Sequence, residues 1–213
     1  MKILQRWYNC INLNNLMIMK KVIAISLMIS LISLTSLAQT ESPHLSFKGV
    51  PIDGTLNEYV QEMKKKGFDY VGTEDGIAIL QGDFAAYKGC TIGVATLKQT
   101  DLVSKISVIF PDCTTWSLLA NNYFTLQEML TEKYGKPAEV VEEFQSYAEP
   151  KDDDSKMNNV KLDRCKYFTT YETEKGSIQL SIEHNSVFSC FVLLSYFDKI
   201  NGDIIRAKAM EDL

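Results

Sequence analysis

Histidine is scarce in this chain of 213 residues, with His44 and His184 alone, and only five cysteines occur. No two cysteines lie two to four residues apart, so zinc-ligand spacing is absent. The glycines show no phosphate-loop spacing, and no serine stands in a Gly-x-Ser-x-Gly elbow. Nothing in this inventory calls for a metal or a cofactor. Positive charge is also short, with 22 Lys and Arg against 27 Asp and Glu, a net charge of −5. Such a chain has little electrostatic grip on nucleic-acid phosphates or anionic membranes. Long apolar runs are absent after the first 38 residues, so no later segment is expected to span a bilayer.

The one apolar run that is present reads as an export signal. Lys20 and Lys21 precede Val22–Leu34, and Ser36-Leu37-Ala38 then supplies small residues where a signal peptidase reads them. Cleavage is expected between Ala38 and Gln39. The alternative is an uncleaved anchor, but the run from Val22 to Ala38 is near the lower limit for spanning and is diluted by serine and threonine. Met19 looks like a natural start, and residues 1–18 fit no usual leader. Glutamine at position 39 leaves no lipidation cysteine. Without residues 1–38, 18 basic residues face 27 acidic ones, a net charge of −9. That charge favours solubility and permits a basic partner.

Two stretches share an order of features. Gly54–Phe68 and Phe124–Pro137 each contain Thr-Leu-x-Glu, helical spacing, and then a glycine. Thr55 and Glu58 form a capping box for the first helix, with Leu56, Tyr59, Val60 and Met63 on one face and Gly67 at its end. The second helix is expected from about Thr115 to Gly135, with Leu119, Tyr123, Leu126 and Leu130 as its stripe. Strands are expected at 69–73, 77–87, 90–97 and 102–110, and again at 139–144, 162–173, 177–184 and 187–197. Ile92 and Val94 match Ile178 and Leu180, and Ile106, Val108 and Phe110 match Val192, Leu194 and Tyr196, each at a spacing of 86. An α+β fold follows, a tandem repeat of helix and antiparallel sheet. Residues 39–113 form the first unit, 114–198 the second, and 199–213 a tail. Glu149–Lys156 reads as a solvated loop, since its aspartates lack calcium-loop spacing. In the tail, Asp203–Leu213 suits a short helix anchored by Ile204, Ile205 and Met210.

Four cysteines follow the leader. If Val94 faces Ile106, then Cys90 faces Phe110 and Cys113 lies just beyond, so a Cys90–Cys113 disulfide is within reach. Placing Ile182 opposite Cys190 leaves Cys165 two strands over and several residues along, on the order of 16 Å away. Four free core thiols are the alternative. Ser177, Gln179, Ser181 and Glu183 alternate with core residues, and Phe191 and Leu193 share their side if Cys190, Val192 and Leu194 point inward. A polar face carrying apolar side chains is a candidate contact surface. The opposing expectation is that another part of the chain covers it.

The helix-then-sheet order across residues 45–198 resembles the beta-lactamase-inhibitor-protein (BLIP-like) type of fold, shared with small outer-membrane assembly lipoproteins. Phe47-Lys-Gly-Val-Pro-Ile-Asp-Gly-Thr-Leu56, followed by Lys66-Gly-Phe68, also resembles uncharacterised exported bacterial proteins. The resemblance rests on turn and capping residues and transfers no functional residue. Three functions are therefore expected in competition. The first is a periplasmic or secreted non-enzymatic module that binds another envelope or extracellular protein. The second is a hydrolase or other enzyme with a site around Cys190, His184 and Glu183. The third is a structural envelope component.

Overall fold

Short-range signals set the first elements of the computed structural model, which describes residues 42–97, 101–185 and 189–211. The expected leader and its Ala38/Gln39 cleavage point lie outside the described residues. Strands β1 (Ser46–Phe47) and β2 (Val50–Pro51) form a small hairpin around Lys48 and Gly49, both at positive φ. Helix α1 (Leu56–Lys65) opens on the Thr55–Glu58 capping box, closes with Lys66, and buries Tyr59, Val60 and Met63. Antiparallel strands β3 (Asp69–Glu74), β4 (Ile77–Phe84), β5 (Tyr87–Leu97) and β6 (Leu102–Ile109) follow. Asp75-Gly76, both at positive φ, makes the tight turn between β3 and β4.

Helix α2 (Trp116–Tyr134) starts at Thr115, whose side chain accepts from the Leu118 N–H, and stops at Gly135. Its stripe of Leu119, Tyr123, Leu126 and Leu130 is buried. Polar straps reinforce that stripe. The Tyr123 hydroxyl lies 2.7 Å from Thr169 Oγ1, and the Tyr171 hydroxyl donates to the Gln127 carbonyl at 2.9 Å. Then come β7 (Glu139–Phe144), α3 (Asp153–Lys161), β8 (Cys165–Thr173), β9 (Gly176–His184), β10 (Cys190–Asp198) and α4 (Lys199–Glu211). Among the described residues the long strands form one eight-stranded antiparallel sheet, ordered β3-β4-β5-β6-β10-β9-β8-β7. The pairing of β6 with β10 carries the sheet from the first half of the chain into the second.

α1 and α2 pack on the same face. Their buried side chains join Leu80, Ile92, Val108, Leu180, Val192 and Leu194 in one core cluster. The mixed α+β class expected from sequence is present, with four helices among the described residues. No described helix is long and apolar enough to cross a membrane.

Four expectations need correction. The stretch expected as a loop at 149–156 contains the start of α3: Asp152 caps it, and Met157 and Val160 turn inward. The strand expected at 77–87 is two strands separated by Ala85 and Ala86, both at positive φ without a glycine to signal it. Strand β8 begins at Cys165 rather than Leu162, because α3 runs to Lys161 and Leu162 is its C-cap. The tail helix is not anchored by Ile204 and Met210, which are exposed; its buried residue is Asn201. The Asn201 side-chain amide donates to the Ile52 and Val103 carbonyls at 3.0 and 2.8 Å. Asp198 holds the same corner, accepting from the Asn201 and Leu45 N–H groups at 2.9 and 2.8 Å.

Candidate functional site

The sheet gives its two faces different chemistry because neighbouring side chains alternate across it. Toward the helices, nearly every position on β5, β6, β9 and β10 is a buried apolar residue. The opposite face is partly open. A row of directly paired residues crosses it from Asp69 on β3 to Val141 on β7, passing through Thr91, Ile109, Leu193 and Ser181. All six expected contact residues fall on this face. Phe191 pairs with Glu183, Leu193 with Ser181, and Ser177 and Gln179 pair with Phe197 and Ser195.

Their exposure is graded. Glu183 is exposed, Ser177, Gln179 and Leu193 are half-buried, and Ser181 and Phe191 are buried. The buried side chains of α1, α2 and α3 belong to the core on the other side. At its margins the open face is acidic. Asp69, Glu74, Glu139, Glu143, Glu172 and Glu183 share it by register, against Lys105 and Lys166. Lys105 is drawn inward, with its ammonium 4.9 Å from the centre of the Phe197 ring.

At one end this face opens into a cavity of ≈ 340 Å³ lined by residues including Thr91, Ile109, Asp112, Asn185, Ser189 and Phe191. The Ser189 hydroxyl donates to Asp112 Oδ1 at 2.6 Å. Sequence reading missed Asp112, Asn185 and Ser189. Asp112 and Ser189 come from distant loops that meet only because β6 lies beside β10.

The residues of the enzyme reading are brought together only in part. Cys190 pairs directly with His184, while Ile182 pairs with Val192, which corrects the expected pairing of Ile182 with Cys190. His184 Nε2 lies 2.9 Å from Asp163 Oδ1, and its buried Nδ1 has no hydrogen-bond partner among the described residues. Glu183, being the next residue along the strand, points to the opposite face. Burial pushes the Cys190 thiol up, with nearby Lys161 opposing the shift. A nucleophilic cysteine needs the reverse, a thiol held low so that thiolate is present. Among the described residues no group of three or more His, Cys, Asp or Glu side chains is placed to hold a metal ion.

Cys90, Cys113, Cys165 and Cys190 are all free thiols in this structure. The Asn122 side-chain amide donates to Cys113 Sγ at 3.4 Å, and burial pushes the thiols of both Cys90 and Cys113 up. Cys165 is closer to Cys190 than the sequence-based register places it. The β8–β9 ladder pairs Phe168 with Ser181, so its continuation sets Cys165 opposite His184, with Cys190 on the far side. Two strand spacings, about 10 Å, still exceed disulfide reach. Burial pushes the Cys165 thiol up to about 12.

Comparison of the chain with protein-family models, with characterised proteins and with solved structures finds nothing that matches.

Proposed function

We propose that this chain is an exported, non-enzymatic binding module that holds a basic protein partner against the face of its sheet opposite α1 and α2. One observation carries the reading: the six residues expected to make contact share a face on which apolar groups at the centre are ringed by carboxylates. An apolar centre with a polar rim is the usual anatomy of a protein interface. The acidic rim sets the sign of the partner, since complementary charge speeds encounter and rejects wrong partners. The leader expected from the sequence supports a periplasmic or extracellular setting.

Strand order supports a further part of this proposal, that the chain is a duplicated helix-plus-four-strand unit of the BLIP-like kind. Reading the sheet inward from each edge gives β3-β4-β5-β6 and β7-β8-β9-β10, the two halves meeting at β6 and β10. α1 precedes the first set and α2 the second. The internal matches carry one irregularity. Ile92 pairs with Val108, but their counterparts at a spacing of 86, Ile178 and Leu194, are two residues out of register, because Ile178 pairs with Tyr196. On this reading the hairpin slipped by one two-residue step after duplication, which preserves the buried face.

The test uses immobilised wild-type protein, Leu193→Asp on the open face and Met129→Asp on the exposed side of α2, each mixed with envelope extract. A basic protein retained by wild type and by Met129→Asp and lost by Leu193→Asp is the expected outcome. Leu193→Asp adds negative charge, so loss could not come from weakened bulk attraction. Retention by Leu193→Asp, or capture of an acidic protein, overturns the reading.

A further inference from the structure

The cavity at the end of the open face differs from the rest of it. It is concave, and its polar groups converge from two segments: Asp112 after β6, and Asn185 and Ser189 in the connection from β9 to β10. Ile109 and Phe191 line it with apolar surface, and both belong to the open face by register. A ligand here meets one anionic carboxylate, neutral hydrogen-bonding groups and an aromatic ring.

That combination has a chemical complement. A carboxylate has about four acceptor sites, and the Ser189 hydroxyl uses one of them on Asp112. The remaining acceptors match the paired N–H groups of a planar cation. The apolar floor suits the weakly hydrated face of a guanidinium better than a strongly hydrated ammonium. The Ser189 hydroxyl, held by its bond to Asp112, fixes one carboxylate oxygen toward the loop. Carboxylates elsewhere on the face raise the local concentration of cations at the cavity mouth.

We infer that this cavity is a guanidinium-binding pocket that takes an arginine side chain of the basic partner as its anchor. The inference rests on the reading of the open face as a protein-binding surface and names the group that surface selects. Arginine side chains seated in well-packed pockets are a common source of interface affinity.

The experiment uses acetyl-arginine amide as the probe and follows the backbone amide signals of Gly89, Asn185 and Ser189 in the isotope-labelled protein. Saturable shifts are expected, with a dissociation constant on the order of millimolar for so small a ligand. The citrulline analogue has the same shape without the charge and should leave the signals in place. Asp112→Asn should weaken binding about tenfold through loss of a charge-assisted pair. Glu139→Gln on β7 removes the same charge from the far side of the face, several strands from the pocket, and should change affinity less than about twofold, since exposed charges at that range are screened.

Equal binding of the citrulline analogue overturns the inference, as does equal weakening by Glu139→Gln and Asp112→Asn, which would mean diffuse attraction. An absence of saturable shifts also overturns it. If the probe fails while Leu193-dependent capture succeeds, the pocket assignment falls and the binding face stands. If the probe binds and capture fails, the reading of the face falls.

Discussion

Gly82 on β4 and Gly93 on β5 lie on opposite faces of the sheet, and the same substitution should affect them in opposite ways. Gly82 pairs with Cys90 and faces the core, where an added Cβ would lie 2.5 Å from Cδ1 of Phe68. Phe68 is itself buried and packs against Phe47, so the ring has little room to retreat. Gly82→Ala should therefore destabilise the protein by about 1–3 kcal/mol, read as a lower urea midpoint. At Gly93 the nearest neighbour of an added Cβ is Ile77 Cγ2 at 3.5 Å, an ordinary contact. Gly93→Ala should stabilise the protein by up to roughly 1 kcal/mol, read as a higher urea midpoint, because glycine in a strand loses more backbone freedom on folding. A loss of stability at Gly93 as large as at Gly82 would mean that something covers the open face.

Among the elements, α1 and α2 were legible because each carries its own instructions: a capping threonine, apolar residues at helical spacing and a closing glycine. The third helix was hidden because its signals are reversed in emphasis. Its start is a run of aspartates that resembles a solvated loop, and only Met157 and Val160 turn inward. It also makes a contact the sequence does not announce. Asp153 sits at the N-terminus of α2 and accepts from the Trp116 and Ser117 N–H groups at 3.0 and 2.7 Å, and also from the Ser117 hydroxyl. The Ser117 hydroxyl foremost holds the Asp153 carboxyl below its ordinary value of 3.8; burial opposes it, and those N–H groups and Lys156 add to the lowering.

A carboxyl lowered in the folded state contributes stability that is complete above its unfolded value and is lost as pH falls through the folded one. Asp153→Asn should accordingly lower the melting temperature at neutral pH. The gap between variant and wild type should close as the pH drops below about 4, where the wild-type carboxyl takes up its proton. A gap that stays constant into acid would assign the contribution of Asp153 to shape rather than charge. The turn at Ala85-Ala86 was illegible for a related reason. Alanine is an unusual choice at positive φ, costing roughly 1–2 kcal/mol per residue, so the chain bends there by tertiary demand and not by local preference.

At the scale of the whole molecule, the alternation of each strand was readable but the joining of the halves was not. The β6–β10 seam pairs Ile106 with Tyr196 and Val108 with Leu194, residues whose apolar character fits many partners. That seam creates the cavity at Asp112 and Ser189, so the pocket could not be read from either half alone. It also brings the Cys113 N–H to the Cys190 carbonyl at 2.8 Å, which ties the cysteines of the two halves to one packed region. Cys90, Cys113 and Cys190 are buried and Cys165 is partly so, with burial pushing every one of these thiols up. Protonated and enclosed, they should react slowly with a thiol reagent in the native protein and rapidly once it is unfolded. The total reached on unfolding then reports on processing as well as packing. Cys10 is the fifth cysteine and precedes the expected cleavage point. Four reactive thiols in the unfolded, unreduced protein from its own host agree with free cysteines in a chain that begins after Cys10, at Met19 or at Gln39. Five place the leader on the mature chain and remove the basis for an exported partner. Two missing thiols that return with reductant would locate a disulfide, and Cys90→Ser would show whether Cys90 and Cys113 form it.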